Sequence, residues 1–188
     1  MLKPLFQIAG IVFLALLVRY FIMAPFCIPT ASMHPTLIPG DCVLADRLAF
    51  KLPDKEGPRR NDVVIFQRPE NPKKVYTKRV VAIGGDTIEI KEKRVFINQV
   101  EIHHASAWYS DPYTLPPGEE NNRDNVKAHT VPKGKVFILG DNRDNSLDSR
   151  VWGGLDADTL KAKVLMVYWS KDPKTGQYRW RRIGRWID

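Results

Sequence analysis

Residues 77–90 read Thr77-Lys78-Arg79-Val80-Val81-Ala82-Ile83-Gly84-Gly85-Asp86-Thr87-Ile88-Glu89-Ile90: an apolar run, a glycine break, then an alternating run. β-Branched residues bounded by turn formers predict two strands joined by a tight turn. The same grammar recurs outward in both directions. Residues 42–45, 62–66, 94–97, 135–139 and 162–169 read as further short strands, with turn markers at Pro39-Gly40-Asp41 and Pro132-Lys133-Gly134. Few windows carry a 3.6-residue period; residues 156–161 suggest one short helical turn, and Arg179-Trp180-Arg181-Arg182 alternates like an edge strand. The expected fold is mostly β, with antiparallel strands in two sheets or a distorted barrel. Residues 98–130 break the pattern. Rich in Asn, Asp, Pro and Tyr from residue 103 on and interrupted by Pro116-Pro117-Gly118, they read as an insertion or flap.

Ahead of the β region runs an apolar segment, residues 5–26, interrupted by Gln7, Gly10, Arg19 and Pro25. At about 1.5 Å per residue it spans roughly 33 Å, enough for a bilayer core. A cleaved signal peptide is disfavoured, because the positive n-region is only Lys3 plus the amino terminus and no small-x-small site precedes a polar start. The expected organisation is one transmembrane helix over residues 1–26 and a β-rich domain over 27–188. The charge near the amino terminus places that domain on the extracytoplasmic face.

The chain has 188 residues and net charge +8. A basic domain suits an anionic membrane surface. Basic residues interleaved with aromatics occur only around Arg179–Arg182, so no nucleic-acid partner is expected. Two cysteines, Cys27 and Cys42, have no metal spacing and no CxxC neighbour. A disulfide between them is geometrically possible, but two unpaired thiols is the favoured reading. Four histidines without HExxH spacing give no metal site, and no cofactor is expected.

Chemistry-bearing residues concentrate in three places. Ser32 sits in Ile28-Pro29-Thr30-Ala31-Ser32-Met33-His34-Pro35-Thr36-Leu37, just past the apolar run. Lys78 sits in the opening stretch. Residues 140–153 read Gly-Asp-Asn-Arg-Asp-Asn-Ser-Leu-Asp-Ser-Arg-Val-Trp-Gly. A serine hydroxyl needs a base, and lysine serves only when neutral. His34 is too close in sequence to Ser32 and lacks an orienting acid, which disfavours a histidine triad.

The three segments together, in this order behind an anchor, resemble the bacterial type I signal peptidases, membrane-bound serine–lysine endopeptidases. The resemblance implies Ser32 as nucleophile and Lys78 as neutral general base. It implies Thr30 and the Ser32 backbone N–H as oxyanion donors, and Ser146 as a hydrogen-bond partner that orients the lysine. Asp141, Arg143, Asp148 and Arg150 would hold the loop by charge-assisted pairs. Pocket positions would be Ile28, Met33, Leu37 and Tyr76 for the first subsite, and Phe26, Ile28, Ile65 and Thr77 for the second. The implied substrates are signal peptides of exported preproteins cut after an Ala-x-Ala pattern, at the plasma membrane. Ala31 replaces the usual glycine beside the nucleophile, and Gly84-Gly85-Asp86 replaces a Leu-Pro-Gly-Asp turn. Strain at Ala31 is expected if that glycine needs positive φ. A conjugation-system maturation peptidase of the same chemistry, or a non-catalytic anchored scaffold, are the rival readings.

Overall fold

The turn at residues 83–86 is the point where the chain passes from one sheet to another. In the computed structural model, residues 6–8, 10–13, 16, 22–51, 57–68, 70–116, 118 and 122–187 are described. The first sheet holds seven strands: β1 (Met23–Cys27), β2 (Asp41–Asp46), β3 (Val63–Arg68), β4 (Asn71–Ile83), β9 (Lys135–Leu139), β10 (Leu155–Asp156) and β11 (Leu160–Ser170), in the order β1-β2-β11-β3-β4-β9-β10. The second holds β5 (Thr87–Lys91), β6 (Arg94–Ile97), β7 (Val100–Ile102) and β8 (Val126–Thr130), in the order β7-β6-β5-β8. All these ladders are antiparallel.

Burial follows the sequence pattern. In β5 the alternation of Thr87-Ile88-Glu89-Ile90 turns Ile88 and Ile90 inward. The short loops of this sheet turn at Glu92-Lys93 and Asn98-Gln99, all four with positive φ, as two-residue hairpins require. β3 and β9 are buried over successive residues, because apolar clusters cover both faces of the first sheet. One cluster joins Ile28, Met33, Leu37, Val43, Ile65 and Val164. The other face packs Val64, Phe66, Val80, Val136 and Ile138. A third cluster, including Val81, Ile88, Val95, Ile97 and Phe137, fills the space between the sheets.

Several expectations change. Cys27 and Cys42 are joined by a disulfide, because β1 pairs with β2 in a register that sets these two residues opposite each other. Residues 23–26, read as the end of the anchor, are part of that strand, which pairs with β2 at the edge of the sheet. Of the remaining anchor, residues 6–8, 10–13 and 16 are helical and exposed, Ile22 lies in an exposed turn, and the rest lies outside the described residues. Among the described residues no helix is long and apolar enough to cross a membrane. The insertion is narrower than residues 98–130, since β7 and β8 at its ends complete the second sheet. Residues 156–161 give a single 3-10 turn, Ala157–Thr159, before β11 begins. Arg179–Arg182 is not an edge strand: Trp180–Arg182 is a 3-10 turn. Arg182 reaches into the fold to fork onto both oxygens of the fully buried Asp41 carboxylate at 2.6 and 2.9 Å, which the Ser170 hydroxyl also meets at 2.6 Å.

Candidate active site

Two structural elements bring Ser32 and Lys78 together. Met33 and Leu37 are anchored in the apolar cluster of the first sheet, and Leu37 N–H donates to Met33 O at 2.9 Å, so the chain after β1 winds tightly around Ser32. Lys78 lies mid-strand on β4, opposite Val64. Its Nζ donates to Ser32 Oγ at 2.6 Å and to Thr77 O at 3.1 Å. Thr30 Oγ1 lies 3.3 Å from Ser32 Oγ, and the residue is exposed.

Lys78 is only 3% exposed. That burial is the main reason its pKa falls from the ordinary 10.5 to about 8; Asp148 and Asp141 pull it upward and Arg150 pushes it down. No carboxylate among the described residues forms an ion pair with Lys78, because each nearby one is taken. Asp141 receives Arg79 through a fork of two 2.9 Å contacts and the Thr36 hydroxyl at 2.6 Å, all fully or nearly buried. Asp148 receives Arg150 at 2.8 and 2.9 Å and Gly140 N–H at 3.0 Å.

The 140–153 loop is sewn to the serine segment through backbone. Asn142 N–H donates to Ser32 O at 3.1 Å, and its side-chain amide donates to Ala31 O at 3.2 Å. The approach at Gly140 is close: a Cβ there would fall 2.4 Å from Ser32 O and 2.2 Å from Ser146 Oγ. Only glycine fits. Ala31 has no positive φ, so the strain expected there does not arise.

Ser146 Oγ is buried beside Gly140 and has no hydrogen-bond partner; the bond to Lys78 is not made in this structure. Arg143 likewise makes no pair, unlike Arg150. Of the pocket positions, Ile28, Met33, Leu37 and Ile65 are buried members of one core cluster, with Phe26 packed on its rim. Phe26 and Ile65 also line a cavity of about 250 Å³ edged by Arg47, Lys51 and Lys161. Tyr76 shares its strand face with Lys78, stacks on Phe66 and meets Trp152 edge-on; Thr77 pairs with Ile65 across β3 and β4. His34 packs edge-on against Trp108, its Nδ1 without a partner.

Reading of the residues did not single out Arg79, Asn142, Gly140 or Thr36. An arginine inside a run of valines was the available signal for the first, since such a cation demands a buried acid.

Comparison with known proteins gives the family. Residues 1–169 match the family described as signal peptidase, peptidase S26. The chain belongs to that family. It is 31% identical to the probable signal peptidase I-1 of Synechocystis sp., over 96% of this chain and 85% of that protein. It is also 31% identical to signal peptidase IB of Staphylococcus aureus, over 90% of each. The signal peptidase I of Aquifex aeolicus is 28% identical over 90% of this chain and 85% of its own length. The chain is thus a peptidase of the signal peptidase I type, acting on preproteins to remove their signal peptides.

Proposed function

We propose that this S26 peptidase cleaves by a serine–lysine mechanism, with Ser32 as nucleophile and neutral Lys78 as general base. The observation that carries the reading is the 2.6 Å approach of a buried, uncompensated lysine to a serine hydroxyl. Ser32 Oγ attacks the scissile carbonyl carbon while its proton passes to Lys78 Nζ. The negative oxygen of the tetrahedral intermediate is met by the Ser32 backbone N–H and the Thr30 hydroxyl, donors of a kind worth about 3–4 kcal/mol each. Collapse breaks the C–N bond, and the lysine returns the proton to the departing amine of the mature chain. Water, losing its proton to Lys78, then opens the Ser32 ester and frees the signal peptide carboxylate. On substrate binding, Ser146 turns to the lysine ammonium, and Arg79–Asp141 and Arg150–Asp148 hold the two walls in place.

Shallow pockets at Ile28, Met33, Leu37 and Tyr76, and at Phe26, Ile65 and Thr77, select small residues at the Ala-x-Ala positions. Residues 1–22 tether the domain to the plasma membrane as a single span, with membrane lipid as its second partner and no role for nucleic acid. The Cys27–Cys42 disulfide supports an extracytoplasmic, oxidising location for residues 23–188. The test is cleavage of a preprotein with an Ala-x-Ala site in detergent by wild type, Ser32→Ala and Lys78→Ala. Cleavage at that site by wild type alone is expected; activity retained in Lys78→Ala overturns the lysine base. A folded wild type that leaves this site uncut would favour the conjugation-system maturation peptidase.

A further inference from the structure

The arginines around the serine segment are paired with acids, with one exception. Among the described residues nothing donates to, accepts from or ion-pairs with the Arg143 guanidinium, and its Nε is buried without a partner. The residue is 4% exposed. Asp141 and Asp148 act on it only at a distance, with no direct contact, and a nearly buried guanidinium that makes no hydrogen bond is costly. Burial accordingly lowers the Arg143 pKa.

Arg143 lines a cavity of about 190 Å³ between the two sheets, whose apolar walls are Val81, Val95, Ile97 and Ile102. Arg60, Asn61 and His104 form the rest of its lining. A second cavity of about 370 Å³ shares Arg143, His104, Val95 and Ile102 with the first. The surrounding cations are already matched: Arg60 with Asp86, Lys93 with Asp144 at 2.9 Å, and Arg94 with Glu101 at 3.8 Å. Arg143 therefore holds the charge left over. His104 adds a donor, because Ser106 N–H points to its Nδ1 at 3.2 Å and so leaves the ring proton on Nε2. Burial first, then the Arg79 guanidinium, lower the pKa of that ring; Asp141 opposes them and Arg143 adds to them.

We propose that this cavity binds a phosphate-type oxyanion carried on a short apolar group, with Arg143 as its principal ligand. The planar guanidinium fork matches two oxygens of such a group, and the Val81, Val95, Ile97 and Ile102 walls accommodate a few carbons beside it. Ser32 and Lys78 do not line the cavity, so the site is separate from the one that cleaves. It is nonetheless connected to it. Arg143 N–H donates to Trp108 O at 2.8 Å, Trp108 N–H to Asp141 O at 2.7 Å, and the intervening Asn142 holds Ser32 O. An occupant that fixes Arg143 stiffens the loop on which the nucleophile rests.

The experiment is calorimetric titration of the full chain in detergent with n-butyl phosphate and with inorganic phosphate, alongside thermal unfolding. Saturable binding is expected, tighter for butyl phosphate, with a raised unfolding midpoint in both wild type and Ser32→Ala. Arg143→Gln is expected to weaken binding at least tenfold. Should that variant not fold, Ile102→Glu supplies a carboxylate at the shared wall of both cavities. It is expected to raise the midpoint by itself and to abolish the phosphate response. Absence of saturable binding in wild type, or an unchanged affinity in Ile102→Glu, overturns the proposal. Competition with dioctanoyl phosphatidylglycerol identifies the source: displacement of butyl phosphate assigns the oxyanion to a lipid headgroup, and no displacement assigns it to a soluble phosphate ester.

Discussion

Replacing Lys78 with methionine removes the charge while keeping an unbranched chain of similar volume, and the structure fixes what should follow. Burial lowers the lysine pKa from 10.5 to about 8. At about 1.4 kcal/mol per unit, holding the charged form in the folded protein costs about 3 kcal/mol. Against this stand two hydrogen bonds, to Ser32 Oγ and Thr77 O, each worth about 1 kcal/mol net. Near pH 7, Lys78→Met is therefore expected to be inactive and no less stable than wild type. The sign of the pH dependence is fixed. Between pH 8 and 10.5 the unfolded chain keeps a proton on Lys78 that the folded protein has released, so wild-type stability rises with pH there. Below pH 8 both states are protonated and the full cost is present. The stability advantage of Lys78→Met should then be constant below pH 8 and shrink by about 3 kcal/mol as pH reaches 10.5. Urea unfolding of both proteins across this range measures it, since the remaining lysines cancel in the difference. In parallel, wild-type kcat/KM should climb about tenfold per pH unit below 8 and level off above it. A stability difference that stays flat from pH 7 to 10.5 refutes the depressed pKa, and with it the argument that burial activates the base.

Asp141→Asn leaves the fully buried Arg79 without its carboxylate and should cost about 3–5 kcal/mol in urea unfolding. Gly140→Ala drives a Cβ into Ser32 O and Ser146 Oγ; thermal unfolding should register a loss of about 1–3 kcal/mol, and preprotein cleavage should fall by more than tenfold. Arg150→Met frees Asp148, the strongest of the charges that raise the Lys78 pKa, and should move the rising limb of the pH–rate profile to higher pH by roughly one unit. Reducing the Cys27–Cys42 disulfide, which closes a loop of separation 15, should lower stability by about 3 kcal/mol while leaving β2 in place; an unchanged unfolding midpoint in dithiothreitol would contradict it.

The strands legible in the sequence are those whose apolar residues are buried by the sheet itself. β5 and β6 alternate, and β3 and β9 each carry four successive buried apolar residues, Val63–Phe66 and Val136–Leu139, because both their faces are covered. β1 was hidden because Met23-Ala24-Pro25-Phe26-Cys27 continues an apolar run, and hydropathy does not tell an edge strand from the end of a membrane span. β8 was hidden for the opposite reason: Lys127, Ala128, His129 and Thr130 are exposed on the sheet edge and carry no apolar stripe. The disulfide could not be read from spacing, since it depends on the register of β1 against β2. At the site, residue type announced Ser32 and Lys78, but not what surrounds them. Asn142 acts largely through its backbone N–H, and Gly140 through the atoms it lacks. Neither contribution has a compositional signature.

The ordering of charges on β4 explains how a lysine stays uncompensated in a loop so rich in acids. Lys78 and Arg79 are neighbours on a strand, so their side chains leave on opposite faces. Arg79, with five donors in a rigid plane, takes both oxygens of Asp141 and donates also to Asn61 O at 2.7 Å. Arg150 takes both oxygens of Asp148 in the same way and reaches Arg123 O at 2.7 Å. Each arginine removes from the lysine a carboxylate that would otherwise pair with its ammonium and raise its pKa. An Arg79→Lys exchange would keep the net charge but not the fork, releasing one oxygen of Asp141. Burial is thus the first cause of the low Lys78 pKa, and the two arginines support it by occupying the acids that pull the other way.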